Sequence, residues 1–471
     1  MNPSLNILKI ICLSFIIASC AKNSDKQAVS ELDKNSEKMN KKVTLMTLDP
    51  GHFHAALVQK SMFSSIDSTV YVYAPKGTDL QDHLNRIEGF NSREKNPTHW
   101  FEKVYAGDDY LNQMIVEKPG NVMVVSGKNN KKMEYIKTAI EAGIHVFADK
   151  PMVINTYGFK ILEEIFNTAQ EKNLLVYDIM TERFEITTIL QRNLSMIPTI
   201  FGELIEGTPE KPAITKESVH HFFKYVSGKP LKRPDWFFDT KQRGEGLNDV
   251  STHLVDLIQW EAFPNQILNK SDIDIYDAKH WKTNLSLDQF KKVTGADAFP
   301  EFLEKDLENN LLGIYCNGSI HYKIKGKHAK TSVTWNFQAP EGTGDTHYSI
   351  MRGTKCDLII KQGKEENYKP RLYISINSEE NVEEFESKLK NVIETEFSKT
   401  YPGLKLQKIN EKSWAIEIPQ EFKIGHEEHF EEVTKKYLEY LQKGNIPEWE
   451  VPNMIVKYYT TTQASEMVNK K

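Results

Sequence analysis

Two stretches of the chain carry side chains suited to moving a proton. In "FADKPM", Lys150 closes a strand-like run and is followed by Pro151. The fixed φ of proline stiffens the backbone there, and partial desolvation would tune such an amine for acid–base work; a solvated lysine in a turn is the competing reading. In "GLNDVSTHLVDL", Asp249, His253 and Asp256 stand at i, i+4 and i+7, while Leu254, Leu257 and Ile258 fall on the opposite side. A helix starting here points an acid–imidazole–acid face into a cleft and packs the other face against core. An imidazole whose ordinary pKa is about 6.5 can relay a hydroxyl proton in either direction. The same three residues also read as an exposed helical Asp–His pair or as a metal set.

Short apolar runs, "VTLMTL", "TVYVYA", "NVMVVSG" and "IHVFADKP", alternate with helical stretches from Val43 onward. That alternation predicts parallel strands with crossover helices, an α/β doubly wound domain that binds ligands at the carboxyl ends of its strands. The first such end is "TLDPGHFHAAL". Set on G-x-G-x-x-G it puts Asp49, Gly51 and His54 at the three glycine positions, so only the central glycine is kept. The second strand ends in "YVYAPKG", without an acid for a ribose diol, and Lys76 there could meet a phosphate or solvent. Beyond residue 310 the chain turns strand-rich, with Ser332, Thr334 and Asn336 alternating against Val333, Trp335 and Phe337 as in antiparallel strands with one buried face. The loop "APEGTGDTH" offers Glu341, Asp345 and His347, either beside a cleft or at a hairpin tip.

The segment "AIEAGIHVFADKPMVIN" resembles the "AGKHVxxEKP" signature of the Gfo/Idh/MocA oxidoreductases, with Asp149 in place of glutamate. "DWFFDTKQRGEGLNDVSTHLVDLIQW" resembles that family's second-domain element, and the tail resembles an oxidoreductase C-terminal region of Bacteroidetes members. The resemblance implies an N-terminal Rossmann-like domain at 42–180 and an α+β domain at 181–471 with an open, mainly antiparallel sheet. A segment at about 370–420 has no counterpart in the common pattern and is expected to be an inserted subdomain. The resemblance further implies NAD or NADP as cofactor, held by Gly51, His52, Phe53, Ser126 and Lys150, and a sugar or polyol oxidised at a secondary hydroxyl. It makes Lys150, His253 and Asp249 catalytic, with His253 relaying the proton and Asp249 orienting its ring or binding a hydroxyl. Arg183, Asp256 and Trp236 are the implied substrate contacts, although Arg183 reads equally as an ion pair with Glu182 or Glu185. No metal is expected, and His426 with His429 is read as a solvated helix start.

With 471 residues the chain suits two domains and a cleft between them. Sixty Lys+Arg against 65 Asp+Glu, with no dense basic block, argue against nucleic acid. Lys9, the apolar run "IICLSFII" and "ASC" resemble a lipoprotein signal at 1–19 cleaved before a lipidated Cys20, and the polar stretch 20–41 reads as a tether. The expected location is therefore the cell envelope, anchored by lipid alone, with self-association through the C-terminal sheet. Nicotinamide cofactors are scarce there, which opens two alternatives: a tightly held cofactor serving net redox-neutral glycoside cleavage or epimerisation, or a saccharide-binding lipoprotein without cofactor. Cys316 and Cys356 then form one disulfide or remain two buried thiols.

Overall fold

The computed structural model describes residues 42–226, 229–377 and 381–470, so Cys20 and the tether lie outside the described residues. Six strands, β1 (Leu45–Leu48), β2 (Thr69–Ala74), β3 (Phe101–Ala106), β4 (Val122–Val125), β5 (His145–Asp149) and β6 (Val176–Ile179), form a parallel sheet in the order β3-β2-β1-β4-β5-β6. β1, β4 and β6 are buried at every position, which is why they read as continuous apolar runs and not as alternating ones. The strand order reverses between β1 and β4, and this leaves a crevice at their carboxyl ends.

The second sheet contains β7 (Ile214–Phe223), β8 (Ile273–Leu285), β9 (Leu311–Ile324), β10 (Lys327–Gln338), β11 (Thr346–Arg352), β12 (Cys356–Lys361), β13 (Arg371–Ile376), β14 (Lys405–Asn410) and β15 (Ser413–Glu417). Their order is β8-β9-β10-β7-β11-β12-β13-β15-β14. β7 pairs in parallel with β10, and the other neighbours are antiparallel. Val333 and Trp335 are buried where Ser332 and Thr334 are only half-buried, as the alternation predicts.

Two boundaries differ from expectation. The 370–420 segment extends one edge of the second sheet, and its Phe385, Leu389 and Trp414 share a core with Ile214 and Met351. Among the described residues it has no core separate from that of the second sheet. The tail also divides its loyalties: Phe430, Val433, Tyr437 and Tyr458 pack into the core of the first sheet, whereas Val456, Ala464 and Val468 pack into the second. Tyr437 stacks on Phe147 of β5 at 4.4 Å. A cut at residue 180 therefore misses how the C-terminal helices, His426–Lys443 and Glu450–Asn469, return to the first domain. Cys316 and Cys356 are buried in different clusters, and the Cys356 Sγ lies 3.3 Å from the Ile200 carbonyl oxygen.

Candidate active site

The turn after β1 keeps part of a nucleotide turn by other means. Asp49 adopts φ 46°, the left-handed region that glycine favours and aspartate tolerates. Its amide donates to the Tyr73 carbonyl at 2.9 Å, and its carboxylate accepts the Tyr135 hydroxyl at 2.7 Å. Gly51 is held closely: a Cβ there would stand 3.1 Å from Asp79 Oδ2 and 3.2 Å from Trp236 Cζ2. His54 starts a helix of only four residues, His54–Leu57, which is too short to aim a developed dipole at a phosphate. An opening of ≈ 430 Å³, its solvent-facing part included, lies beside the turn between His52, Asp79, Arg86 and Arg233. Phe53, on this turn, lies under the Arg86 guanidinium at 5.7 Å.

Trp236 does not stand free for substrate. Its indole N–H donates to Asp79 Oδ2 at 3.0 Å, because a buried indole needs an acceptor, and the ring closes over Gly51. Gly51→Val should therefore weaken nucleotide binding by about 5- to 150-fold, the equivalent of the roughly 1–3 kcal/mol that forcing methyl groups into packed space costs. Titration calorimetry with NAD checks this, and equal affinity in variant and wild type would remove the turn from the nucleotide site.

At the ends of β4 and β5, three groups converge on one carboxylate. Asp149 Oδ2 lies 3.0 Å from His54 Nδ1 and 3.6 Å from His52 Nδ1, and it accepts the Ser126 hydroxyl at 2.8 Å. His52 and Ser126, expected against cofactor, thus meet Asp149. Burial holds both imidazoles below their ordinary pKa, His52 by the larger margin. Burial opposes the charge on Asp149, yet His54, Lys132 and His52 hold it well below the usual carboxylate range.

Lys150, the next residue, reaches across to the second domain and donates to Asp249 Oδ1 at 2.6 Å, with both side chains nearly closed off at 10 % and 9 % exposure. The loop before Asp249 is pressed against β9: a Cβ on Gly246 would lie 2.0 Å from the Cys316 carbonyl oxygen, so only glycine fits. Asp249 occupies the N-cap of the helix Val250–Ala262 but gives it no side-chain cap bond. Its carboxylate serves Lys150 and Arg243 instead, and Arg243 Nε donates at 2.9 Å. Against the cost of burial, those two cations hold Asp249 well below the carboxylate range. A local rule broken in this way marks a residue kept for something other than the helix.

His253, in the first turn of that helix, is half-buried, and its Nδ1 is buried with no protein partner. Burial, and after it the Lys150 charge, lower its pKa well below 6.5.

The structure overturns the substrate role expected of Arg183 and Asp256. Arg183 Nε and a terminal nitrogen both donate to the Asp256 carboxylate at 2.7 Å, and Nη1 meets Glu450 at 3.0 Å. Lys457 joins Asp256 at 2.9 Å to Asp178 of β6 at 2.6 Å. All five are buried, which places them in a charged joint between the domains and away from ligand. Nor is Glu182 or Glu185 the partner of Arg183. Glu182, which sequence reasoning treated only as an ion-pair partner, is pushed up to about 7 by burial and the Glu185 carboxylate and feels the charges of Lys150 and Lys224. Its signal in the sequence was a carboxyl just past the end of a parallel strand. Asp345 accepts the His221 amide at 3.0 Å and lies 3.0 Å from His220 Nδ1, with Lys224 also bound; Glu341 is exposed.

Residues 190–469 match the family model described as "Putative oxidoreductase C terminal domain", and residues 71–178 match "Oxidoreductase family, NAD-binding Rossmann fold". The second match begins after the turn at 47–57, where the glycine pattern is least kept. A crystal structure from Parabacteroides merdae ATCC 43184 is 55% identical, covers 91% of this chain and 98% of its own, and superposes with a TM-score of 0.89. A levoglucosan dehydrogenase in complex with NADH and levoglucosan is similar over 90% of this chain and 97% of its own, at 10% identity and a TM-score of 0.56. GenD2 from gentamicin A biosynthesis, in complex with NAD, gives 10% identity over 92% and 94%, with a TM-score of 0.53. At such identity the likeness is one of fold. No curated relative matches the chain.

Proposed function

The chain belongs to the Gfo/Idh/MocA oxidoreductase family, with an NAD-binding Rossmann domain, and from this premise we propose that it oxidises a secondary hydroxyl of a sugar, polyol or glycoside. The observation that carries the reading is the 2.6 Å contact of Lys150 with Asp249, which brings the two family-like motifs together in one shielded cleft. The residues that line the opening beside Gly51 suit a dinucleotide: Asp79 offers an acceptor for ribose hydroxyls, and Arg86 and Arg233 offer cations for phosphates. Bound NAD would supply the acceptor for the hydride that leaves the carbinol carbon. Asp249 holds the Lys150 ammonium where it donates to the substrate oxygen, and the half-buried His253 ring accepts the hydroxyl proton.

The test is the small molecule released on denaturing the purified protein, identified by absorbance and mass, together with NAD reduction over a panel of sugars and glycosides. Bound or titratable NAD with turnover supports the reading. Absence of both nucleotide affinity and turnover would sink it. The envelope signal in the sequence favours a tightly retained cofactor, in which case oxidation is followed by re-reduction and the net change is epimerisation or glycoside cleavage.

The location belongs to the same proposal: the mature chain starts at lipidated Cys20 and stays at the membrane by that anchor, since among the described residues no helix is long and apolar enough to cross a membrane. Cys20→Ala should release the protein from membranes or block its processing, and unchanged membrane fractionation would refute the anchor. The open sheet is the proposed surface for self-association, which sedimentation would reveal as a species larger than one chain.

A further inference from the structure

We propose that His52, His54 and Asp149 bind a divalent first-row transition-metal ion at the carboxyl ends of β1 and β5. One donor atom from each lies within 4.8 Å of the other two. Two of the separations, 3.0 Å from His54 Nδ1 and 3.6 Å from His52 Nδ1 to Asp149 Oδ2, already suit donors on one ion. With metal–ligand bonds of about 2.0–2.2 Å, two donors on one ion stand no more than about 4.4 Å apart, so a small rotation of the rings closes the set.

A second observation points to a ligand there. Asp149 Oδ1 is buried and has no hydrogen-bond partner, an orphaned carboxylate oxygen in a site where such atoms are costly. Around the set stand supporting contacts of the type that orient metal ligands. Ser126 donates to Asp149 Oδ2, Lys132 donates to the Asp149 carbonyl at 2.6 Å, and Phe430 packs its ring 4.7 Å from that of His54. The neighbouring Lys150 ammonium is paired with Asp249, which offsets its charge.

Two imidazoles and one carboxylate select zinc, manganese, iron, cobalt or nickel over magnesium and calcium, which prefer all-oxygen sets. Three protein ligands leave positions open, which water or another small ligand would fill. Of the three ligands only His52 also lines the opening beside Gly51, so the ion and the nucleotide opening are largely separate.

The experiment uses the full chain without an affinity tag, stripped with chelator and free of nucleotide, so that its outcome is independent of the oxidoreductase reading. Cobalt(II) is titrated with visible absorbance as the readout, zinc by calorimetry, and the metal content of the protein as purified is measured by mass spectrometry. One ion per chain at micromolar affinity or tighter is expected, with at least a tenfold loss in His52→Ala and in Asp149→Asn. His253→Ala, outside the set, should bind as wild type does. Because His54 and Asp149 are buried and their variants could unfold, His52→Ala, at a half-buried position, is decisive when its melting curve matches that of the metal-free wild type. In wild type the ion should also raise Tm, which it should not do in His52→Ala. No binding by wild type up to millimolar metal, or equal binding by wild type and His52→Ala, overturns the site.

Discussion

Lys150→Met is expected to lose turnover with its saccharide substrate by about 10²–10⁴-fold, the range for a residue that positions or moves the proton at the reacting oxygen. Its fold should survive. The removed ammonium leaves Asp249 still held by Arg243, so no buried carboxylate is stranded, and Tm should shift little. Nucleotide affinity should also persist, because the opening beside Gly51 does not include Lys150. His253→Ala is expected to fall in the same range, and the double variant to lose little beyond the worse single one, as residues serving one proton path do. Multiplying losses would mean separate roles. A Lys150→Met enzyme within about threefold of wild type kcat would falsify the assignment. The depressed pKa of His253 adds a sign: a neutral base is protonated only below its pKa, so activity should hold as pH falls through 6.5 and drop further down.

Arg183→Met is expected to cost about 3–5 kcal/mol of stability, the consequence of removing one partner from a buried charge network. The guanidinium is shared by Asp256 and Glu450, at 2.7 and 3.0 Å. Without it, Lys457 is left as the cation shared by Asp256 and Asp178, Asp178 also accepting the Tyr458 hydroxyl at 2.8 Å, and Glu450 keeps the Tyr177 and Tyr440 hydroxyls at 3.4 Å. Denaturant midpoints measure the loss. A substrate-binding arginine would behave in the opposite way, with KM raised and the midpoint unmoved, and that pattern would restore the role the structure removes. The network also predicts acid sensitivity. Asp256 is held well below its unfolded pKa, so its contribution is present above about pH 4 and is lost as pH falls through the folded value.

The chemistry-bearing motifs were legible because each is local. Lys150 before Pro151 is fixed by a strand end, and Asp249 by the start of a helix, so their residue types and immediate neighbours carry the information. The alternation of strands and helices likewise sufficed for a doubly wound sheet, because burial on both faces leaves continuous apolar runs. The i, i+7 relation of Asp249 and Asp256 misled for a physical reason. The helix Val250–Ala262 is buried nearly all round, so a polar stripe on it does not mean a cleft, and its two acids serve different partners.

The sequence by itself determined the fold class, the family and the two motifs that meet in the cleft, since these depend on periodicity and on residues within a few positions of one another. What only the tertiary structure decided depends on contacts between distant segments. It gave Asp249 to Lys150 and Arg183 to a buried joint with Glu450, 267 residues away. It returned the C-terminal helices to the first core. It set His52 and His54 around a carboxylate 95 residues beyond His54. No local pattern encodes such pairings, because a buried charge finds its partner through the packing of whole elements and not through spacing along the chain.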